Sequence, residues 1–224
     1  MCMNNFIAII PARGGSKGII GKNLKPIGSL PMVVYSITAA LTCKSIDAVY
    51  VSSDSDEILD IAKLYGAETI KRPDNLARDT TSSEEVLEHA ILQTKSKHCI
   101  LIQPTSPTLE TDDLELGICK YLEKEYTTLF SAVVTNDMLI WDEESMYPMN
   151  YDPKNREMRQ TRKRKLLIEN GAFYIFSRKG FKRTGCRLHG KVGYYEMPYW
   201  RSFQVDTVKD LNGIRTLMTT KGII

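Results

Sequence analysis

Phe6-Ile-Ala-Ile-Ile10 is a β-branched run stopped by Pro11 and a glycine-rich stretch, and it opens an alternation that continues along most of the chain. Consecutive apolar residues of this kind suit a strand buried on both faces. A dense apolar helix pattern over about residues 31–43 comes next, then Ala48-Val-Tyr-Val-Ser52 as a second strand. Ser53-Asp-Ser-Asp-Glu57 supplies the cap and first-turn acids of a helix ending at Gly66. Ser82-Ser-Glu-Glu85 reads as a capping box opening a helix to about Thr94, and Cys99–Ile102 as the next strand. Thr111 begins a helix to about Glu125, and Leu129–Val134 is another strand. Strands separated by helices of this length predict parallel pairing through crossovers, hence a doubly wound α/β sheet.

Periodicity fails from Asn136 to Ile168, where Met, Tyr, Pro, Asn and a basic cluster succeed one another. Residues 136–170 are therefore expected to form an arm inserted into a single domain spanning 1–224. Strand patterns resume at Gly171–Phe176, Val192–Met197 and Ser202–Asp206, and a last helix begins near Thr207.

A net charge of +3 is too mild to argue for nucleic acid or a membrane surface as partner. Five scattered cysteines (Cys2, Cys43, Cys99, Cys119, Cys186) contain no C-x-x-C pair, which points to reduced thiols rather than a zinc site or disulfide framework. The early apolar run has no basic flank and is too short for a signal segment, so a cytoplasmic location is expected. His89, His98 and His189 have no nearby partners in the sequence and are read as structural.

The motif richest in chemistry is Ile10-Pro-Ala-Arg-Gly-Gly-Ser-Lys-Gly-Ile-Ile-Gly-Lys-Asn23. Its glycines let backbone approach a ligand closely, and Arg13, Lys17 and Lys22 place positive charge directly after a strand, as a triphosphate loop requires. The dinucleotide pattern G-x-G-x-x-G fails from either Gly14 or Gly15. The pattern G-x-x-x-x-G-K-[ST] fails too, because Ser16 falls at its first glycine and Asn23 at its hydroxyl.

This stretch resembles the opening signature of the acylneuraminate cytidylyltransferase family, which includes synthetases of CMP-sialic, CMP-legionaminic and CMP-pseudaminic acids. The resemblance continues through Val51-Ser-Ser-Asp54, Arg72-Pro, Ala77-Arg-Asp-Thr-Thr-Ser-Ser83, Gln103-Pro-Thr-Ser-Pro107, Arg159-Gln160, Glu169-Asn-Gly-Ala-Phe-Tyr174 and Val205-Asp206. It implies a three-layer α/β/α sandwich, with the arm reaching across a homodimer. It also implies transfer of CMP from CTP to the anomeric hydroxyl of an acidic nine-carbon 2-keto sugar, with release of pyrophosphate.

By position, the resemblance gives Arg13 and Lys22 the triphosphate, with Ser16, Lys17 and Asn23 beside them on the nucleotide. Arg72, Thr81 and Ser83 take cytidine, for which a guanidinium and hydroxyls suit the acceptors O2 and N3 of cytosine. Thr81 and Ser83 have helix capping as a second reading. Gln103, Arg159, Gln160 and Asn170 are expected at the sugar; Gln103 has an ordinary loop amide as its alternative. The basic run from Arg156 to Lys165 around Arg159 reads as a solvated face, a dimer contact or an import-like signal.

One departure stands near the end. The family places two acids one residue apart to hold divalent metal, and here the pair is Gln204-Val-Asp206, so Asp206 alone is expected to hold Mg²⁺. Arg13, Lys22, Arg159 and Asp206 form the expected catalytic set. The alternatives are a Kdo cytidylyltransferase and, because of Gln204, a catalytically weak nucleotide-binding protein.

Overall fold

The computed structural model describes residues 5–162 and 164–224; Cys2, and Lys163 of the basic run, lie outside them. Seven strands form one sheet: β1 (Phe6–Pro11), β2 (Ala48–Ser53), β3 (Glu68–Lys71), β4 (His98–Ile102), β5 (Thr128–Thr135), β6 (Leu166–Ser177) and β7 (Val192–Glu196), in the spatial order β7-β5-β6-β4-β1-β2-β3. β6 runs antiparallel to both of its neighbours, and the remaining four pairings are parallel. The mostly parallel sheet expected from the alternation is present.

β1 shows why both faces are covered. Successive side chains of a strand point to opposite faces. Ala8 and Ile10 join a core with Val34 and Ile37 of α1 (Met32–Thr42), Ile58 of α2 (Asp56–Leu64) and Leu114 and Ile118 of α4 (Thr111–Glu123). Ile7 and Ile9 instead join Leu87 and Ile91 of α3 (Ser83–Gln93) and Phe181 of α5 (Arg178–Thr184). The result is three layers. A third, smaller core packs Leu211, Ile214 and Met218 of α6 (Val208–Thr220) against Ile19, Ile27 and Val205, so the glycine-rich loop rests on the last helix.

Besides two short ribbons outside the main sheet, Pro26–Ile27 with Leu30–Pro31 and Trp141–Asp142 with Tyr147–Pro148, the structure departs from the pattern reading in four places. β3 went unpredicted because it is a four-residue edge strand with only Ile70 buried. α5 buries only Gly180 and Phe181, too few to show a period. β6 begins at Leu166, so the end of the expected 136–170 arm is sheet: Leu166 to Glu169 pair with Thr135 to Ala132. Residues Ser202–Asp206 are not a strand. A 3-10 turn at Tyr199–Arg201 follows Pro198, and Val205 makes a single backbone bond, 2.8 Å to Thr105 O. Proline donates no ladder bond, and the turn breaks the extension before Ser202.

Candidate active site

Chain order reverses at β1, with β2 and β3 laid to one side and β4 to the other. Loops leaving strands at such a reversal diverge and leave a crevice at the carboxyl edge. The loop after β1 is tied to β2 by Ala12 N donating to Ser52 O and Gly14 N to Asp54 Oδ1, both at 2.9 Å. Asn23 Nδ2 donates to Arg13 O at 2.9 Å from beneath. Asn23 is buried and its Oδ1 has no partner among the described residues, so it shapes the loop and keeps one acceptor free.

The loop meets the 204–206 segment backbone to backbone. A Cβ on Gly18 would lie 2.2 Å from Asp206 O, so only glycine allows this approach. Lys22 Nζ, on a side chain only 14% exposed, donates to Asp206 Oδ1 at 2.9 Å and to Val205 O at 3.1 Å. Arg13 and Lys17 both turn to Asp79, Nη1 to Oδ1 at 2.7 Å and Nζ to Oδ2 at 2.8 Å. Hydrogen bonds from Lys17 and then Arg13 hold that carboxyl below its ordinary range. Ser16, half-buried, lies within the same loop.

Among the described residues no three His, Cys, Asp or Glu side chains gather as a metal cage. Asp206 is a single exposed carboxylate at the loop's edge. That donor set fits a Mg²⁺ arriving on a nucleotide, with most ligands from phosphate and water, and does not fit a resident ion. Gln204 turns away: its Nε2 donates to Asn170 O.

Where cytidine is expected, Arg72 is buried just beyond β3, with Nε on Ser52 Oγ at 3.2 Å and Nη2 on Ser52 O at 2.6 Å. Burial lowers its pKa to about 10, which leaves it cationic at neutral pH. The capping box of α3 belongs to Ser82, whose Oγ accepts from Glu85 N at 3.2 Å while Glu85 Oε2 accepts from Ser82 N at 2.7 Å. Capping therefore does not occupy the half-buried Thr81 and Ser83 hydroxyls.

Beyond the loop lies a cleft of about 550 Å³, whose lining includes Gln103, Met138, Glu169, Tyr174, Phe203 and Gln204. Gln103 is held by its backbone, N to Ala172 O at 3.0 Å, and presents its side chain from the end of β4. The pairing of β6 with β5 breaks between Glu169 and Tyr174, a bulge made possible by Gly171 at φ +69°. Asn170 spends its amide inward: Oδ1 accepts from Ser131 Oγ at 2.6 Å and Nδ2 donates to Ser202 Oγ at 3.0 Å. It builds the wall of the cleft. The Tyr174 hydroxyl donates to Glu169, and Arg187, itself paired with Glu84, lies 4.4 Å over the Tyr174 ring.

The arm keeps its expected residues outside this cleft. Arg159 Nε pairs with Asp137 Oδ1 at 2.7 Å, beside the Met138 rim, and Gln160 is exposed. The histidines stay apart as well: His98 bonds the Tyr121 hydroxyl at 3.0 Å and His189 bonds Ser177 Oγ at 3.0 Å, while His89 faces Gln93. Asp54, Asp79 and Glu169 carry geometry that sequence reading gave no role. Their partners lie in separate loops or across a bulge, and no local spacing announces such pairs.

Residues 7–199 match the model of the cytidylyltransferase family. The chain is 36% identical over 209 residues to an N-acylneuraminate cytidylyltransferase of Oncorhynchus mykiss, covering 90% of this chain and 48% of that protein. It is 30% identical over 222 residues to a pseudaminic acid cytidylyltransferase of Campylobacter jejuni subsp. jejuni, covering 94% and 95%. The chain thus spans about half the length of the first of these relatives and nearly all of the second. Among solved structures, a CMP:2-keto-3-deoxy-manno-octonic acid synthetase complexed with CTP superposes with a TM-score of 0.74 at 18% identity, over 97% of this chain and 99% of that one. A 4-diphosphocytidyl-2C-methyl-D-erythritol synthase from Anaerococcus prevotii superposes with a TM-score of 0.69 at 16% identity, over 97% and 99%. At these identities the structural matches speak for the fold, and the family match together with the sequence relatives establishes the rest: the chain belongs to the cytidylyltransferase family.

Proposed function

We propose that the chain transfers CMP from CTP to the anomeric hydroxyl of an acidic nine-carbon 2-keto sugar of the sialic-acid kind. The observation that carries this reading is the junction of Lys22 with Asp206, which sets a cationic, glycine-rich loop beside a sugar-sized cleft. The sugar oxygen attacks the α-phosphorus, the bond to the β-phosphate oxygen breaks, and pyrophosphate leaves in line. The hydroxyl proton passes to solvent or a nearby base. Such transfer is mostly positioning and charge neutralisation. Arg13, Lys17 and Lys22 offset phosphate charge, Arg72, Thr81 and Ser83 read cytosine, and Gln103 orients the sugar. Asp206 would hold Mg²⁺ delivered with the nucleotide, which supplies further charge neutralisation on the phosphates. Arg159 and Gln160 reach substrate from a second copy across a homodimer, and the protein works in the cytoplasm without nucleic acid or membrane partners. Among the described residues no helix is long and apolar enough to cross a membrane.

Pyrophosphate release from CTP against a panel of neuraminic, legionaminic, pseudaminic and eight-carbon Kdo acceptors tests the proposal. Turnover is expected with at least one nine-carbon acid, and CTP is expected to be preferred to UTP, because cytosine N3 accepts a hydrogen bond where uracil N3 donates one. CTP binding with no turnover on any acceptor would refute the enzyme reading.

A further inference from the structure

Asp79 stands where no role has been given it, in the irregular stretch between Arg72 and α3 that also carries Thr81 and Ser83. Its two carboxylate oxygens are divided between two cations of the glycine-rich loop, Oδ1 to Arg13 and Oδ2 to Lys17. Those partners lie 66 and 62 residues away in sequence, so the contact joins two separate loops of the crevice. The carboxylate is 40% exposed and Lys17 is 82% exposed, which leaves both open to exchange with a dissolved anion. Nothing else pins Asp79: its side chain makes no other ion pair or hydrogen bond among the described residues.

We propose that Asp79 is an internal anion that occupies Arg13 and Lys17 between turnovers, is displaced by the two terminal phosphates of the nucleotide, and returns to help expel pyrophosphate. The inference rests on the reading of this loop as a triphosphate site. Its physical basis is competition: a carboxylate and a diphosphate group cannot share the same two donors, and a triphosphate carries enough charge to win. Exposed ion pairs are weak, so the exchange costs little and the competition is modest. A ligand that reaches only one of the two cations regains one pair for the two it breaks. Asp79 therefore also favours nucleotides with a full triphosphate over those cut short, and so is a specificity-determining residue.

The test is the Asp79→Asn variant, with Asp74→Asn in the same stretch as a control for bulk charge. Calorimetry measures binding of inorganic pyrophosphate and of CTP, and steady-state kinetics measure product inhibition by pyrophosphate. Asp79→Asn is expected to bind pyrophosphate and CTP about tenfold more tightly, with pyrophosphate inhibition strengthened by the same factor, while Asp74→Asn stays near wild type. Unchanged or weakened binding in Asp79→Asn overturns the proposal, as does an equal gain in Asp74→Asn. Pyrophosphate binding by the wild type without CTP binding would sink the functional reading and with it displacement by a nucleotide, leaving only the exchange of Asp79 for pyrophosphate, which the Asp79→Asn comparison still decides. Binding of neither would overturn both.

Discussion

Lys22 is held by two oxygens, the Asp206 carboxylate and the Val205 carbonyl, on a mostly buried side chain. A cation fixed in this way needs little reorganisation when charge develops on a phosphate, which is where preorganised electrostatics gains most. Lys22→Ala is expected to lower kcat/KM by ~10²-fold, about 3 kcal/mol, with most of the loss in kcat. Near-normal turnover in a steady-state assay would remove Lys22 from the site. Gln204 teaches a different lesson at the same scale. The family pattern makes it look like a lost metal ligand, and the structure gives the amide work that a carboxylate cannot do. Its Nε2 donates to Asn170 O against Gly171, where a Cβ would lie 2.2 Å away. Gln204→Asp removes the donor and, one methylene shorter, leaves Asn170 O without its partner, so it is expected to destabilise the protein by about 1–3 kcal/mol without lowering the Mg²⁺ needed for half-maximal rate. A thermal melt and a Mg²⁺ titration check both halves, and a gain in Mg²⁺ affinity at unchanged stability would restore the paired-acid reading. The residue was legible as a departure, but its hydrogen bond was not, because it crosses a bulge that only the sheet pairing reveals.

Helix starts were among the most readable elements, since capping is local chemistry. Ser82 with Glu85 and Thr207 with Asp210 form reciprocal boxes at the two helices that flank the site. The α3 box leaves the Thr81 and Ser83 hydroxyls uncommitted and so available for the base contact proposed for them, a division that the serine-rich stretch Thr80–Ser83 obscured in sequence. Extended segments were legible wherever apolar residues alternate or run together, β7 at the sheet edge included; residues 202–206 alternate likewise yet are fixed by side chains and two backbone bonds, Ser202 N to Tyr199 O and Val205 N to Thr105 O. The α6 box reaches into the site as well, because Asp210 Oδ2 accepts from Asp206 N at 3.1 Å besides Thr207 N at 2.7 Å. Those bonds, the Thr207 backbone foremost, lower the Asp210 pKa. A lowered folded-state pKa gives stability that is present above the ordinary carboxyl value of about 4 and is lost as pH falls through the folded value below it. Asp210→Asn should therefore lower Tm at neutral pH, and the gap to wild type should close as the buffer is taken below about pH 4. A gap that persists unchanged in acid would mean that the carboxylate's charge is not what caps α6.

At the scale of the molecule, the sheet was legible because β1 and β4 are buried on both faces and so read as apolar runs, and β2 reads as Ala48-Val-Tyr-Val ahead of two buried serines. The arm was legible only as the loss of that pattern. It carries a small ribbon, Trp141–Asp142 paired with Tyr147–Pro148, and an edge-to-face contact of Trp141 with Tyr151 at 6.0 Å. These leave much of its apolar surface in water: Met146 is 69% exposed, Tyr147 67%, Met149 67% and Trp141 48%. Clustered exposure of this size marks an interaction surface more often than a free loop. A second copy of the chain is the simplest partner, because a two-fold contact lets one patch cover itself. Light scattering at micromolar concentration is expected to give a dimer. The double substitution Trp141→Asp with Tyr147→Asp is expected to give a monomer with an unchanged far-ultraviolet spectrum, since neither side chain enters the three cores. If Arg159 acts across that interface, the monomer should also lose most of its turnover while keeping CTP affinity, because the residues proposed for the nucleotide all lie in the parent chain. A monomeric wild type, or a double variant that stays dimeric, would place the interface elsewhere and return Arg159 to its Asp137 partner alone.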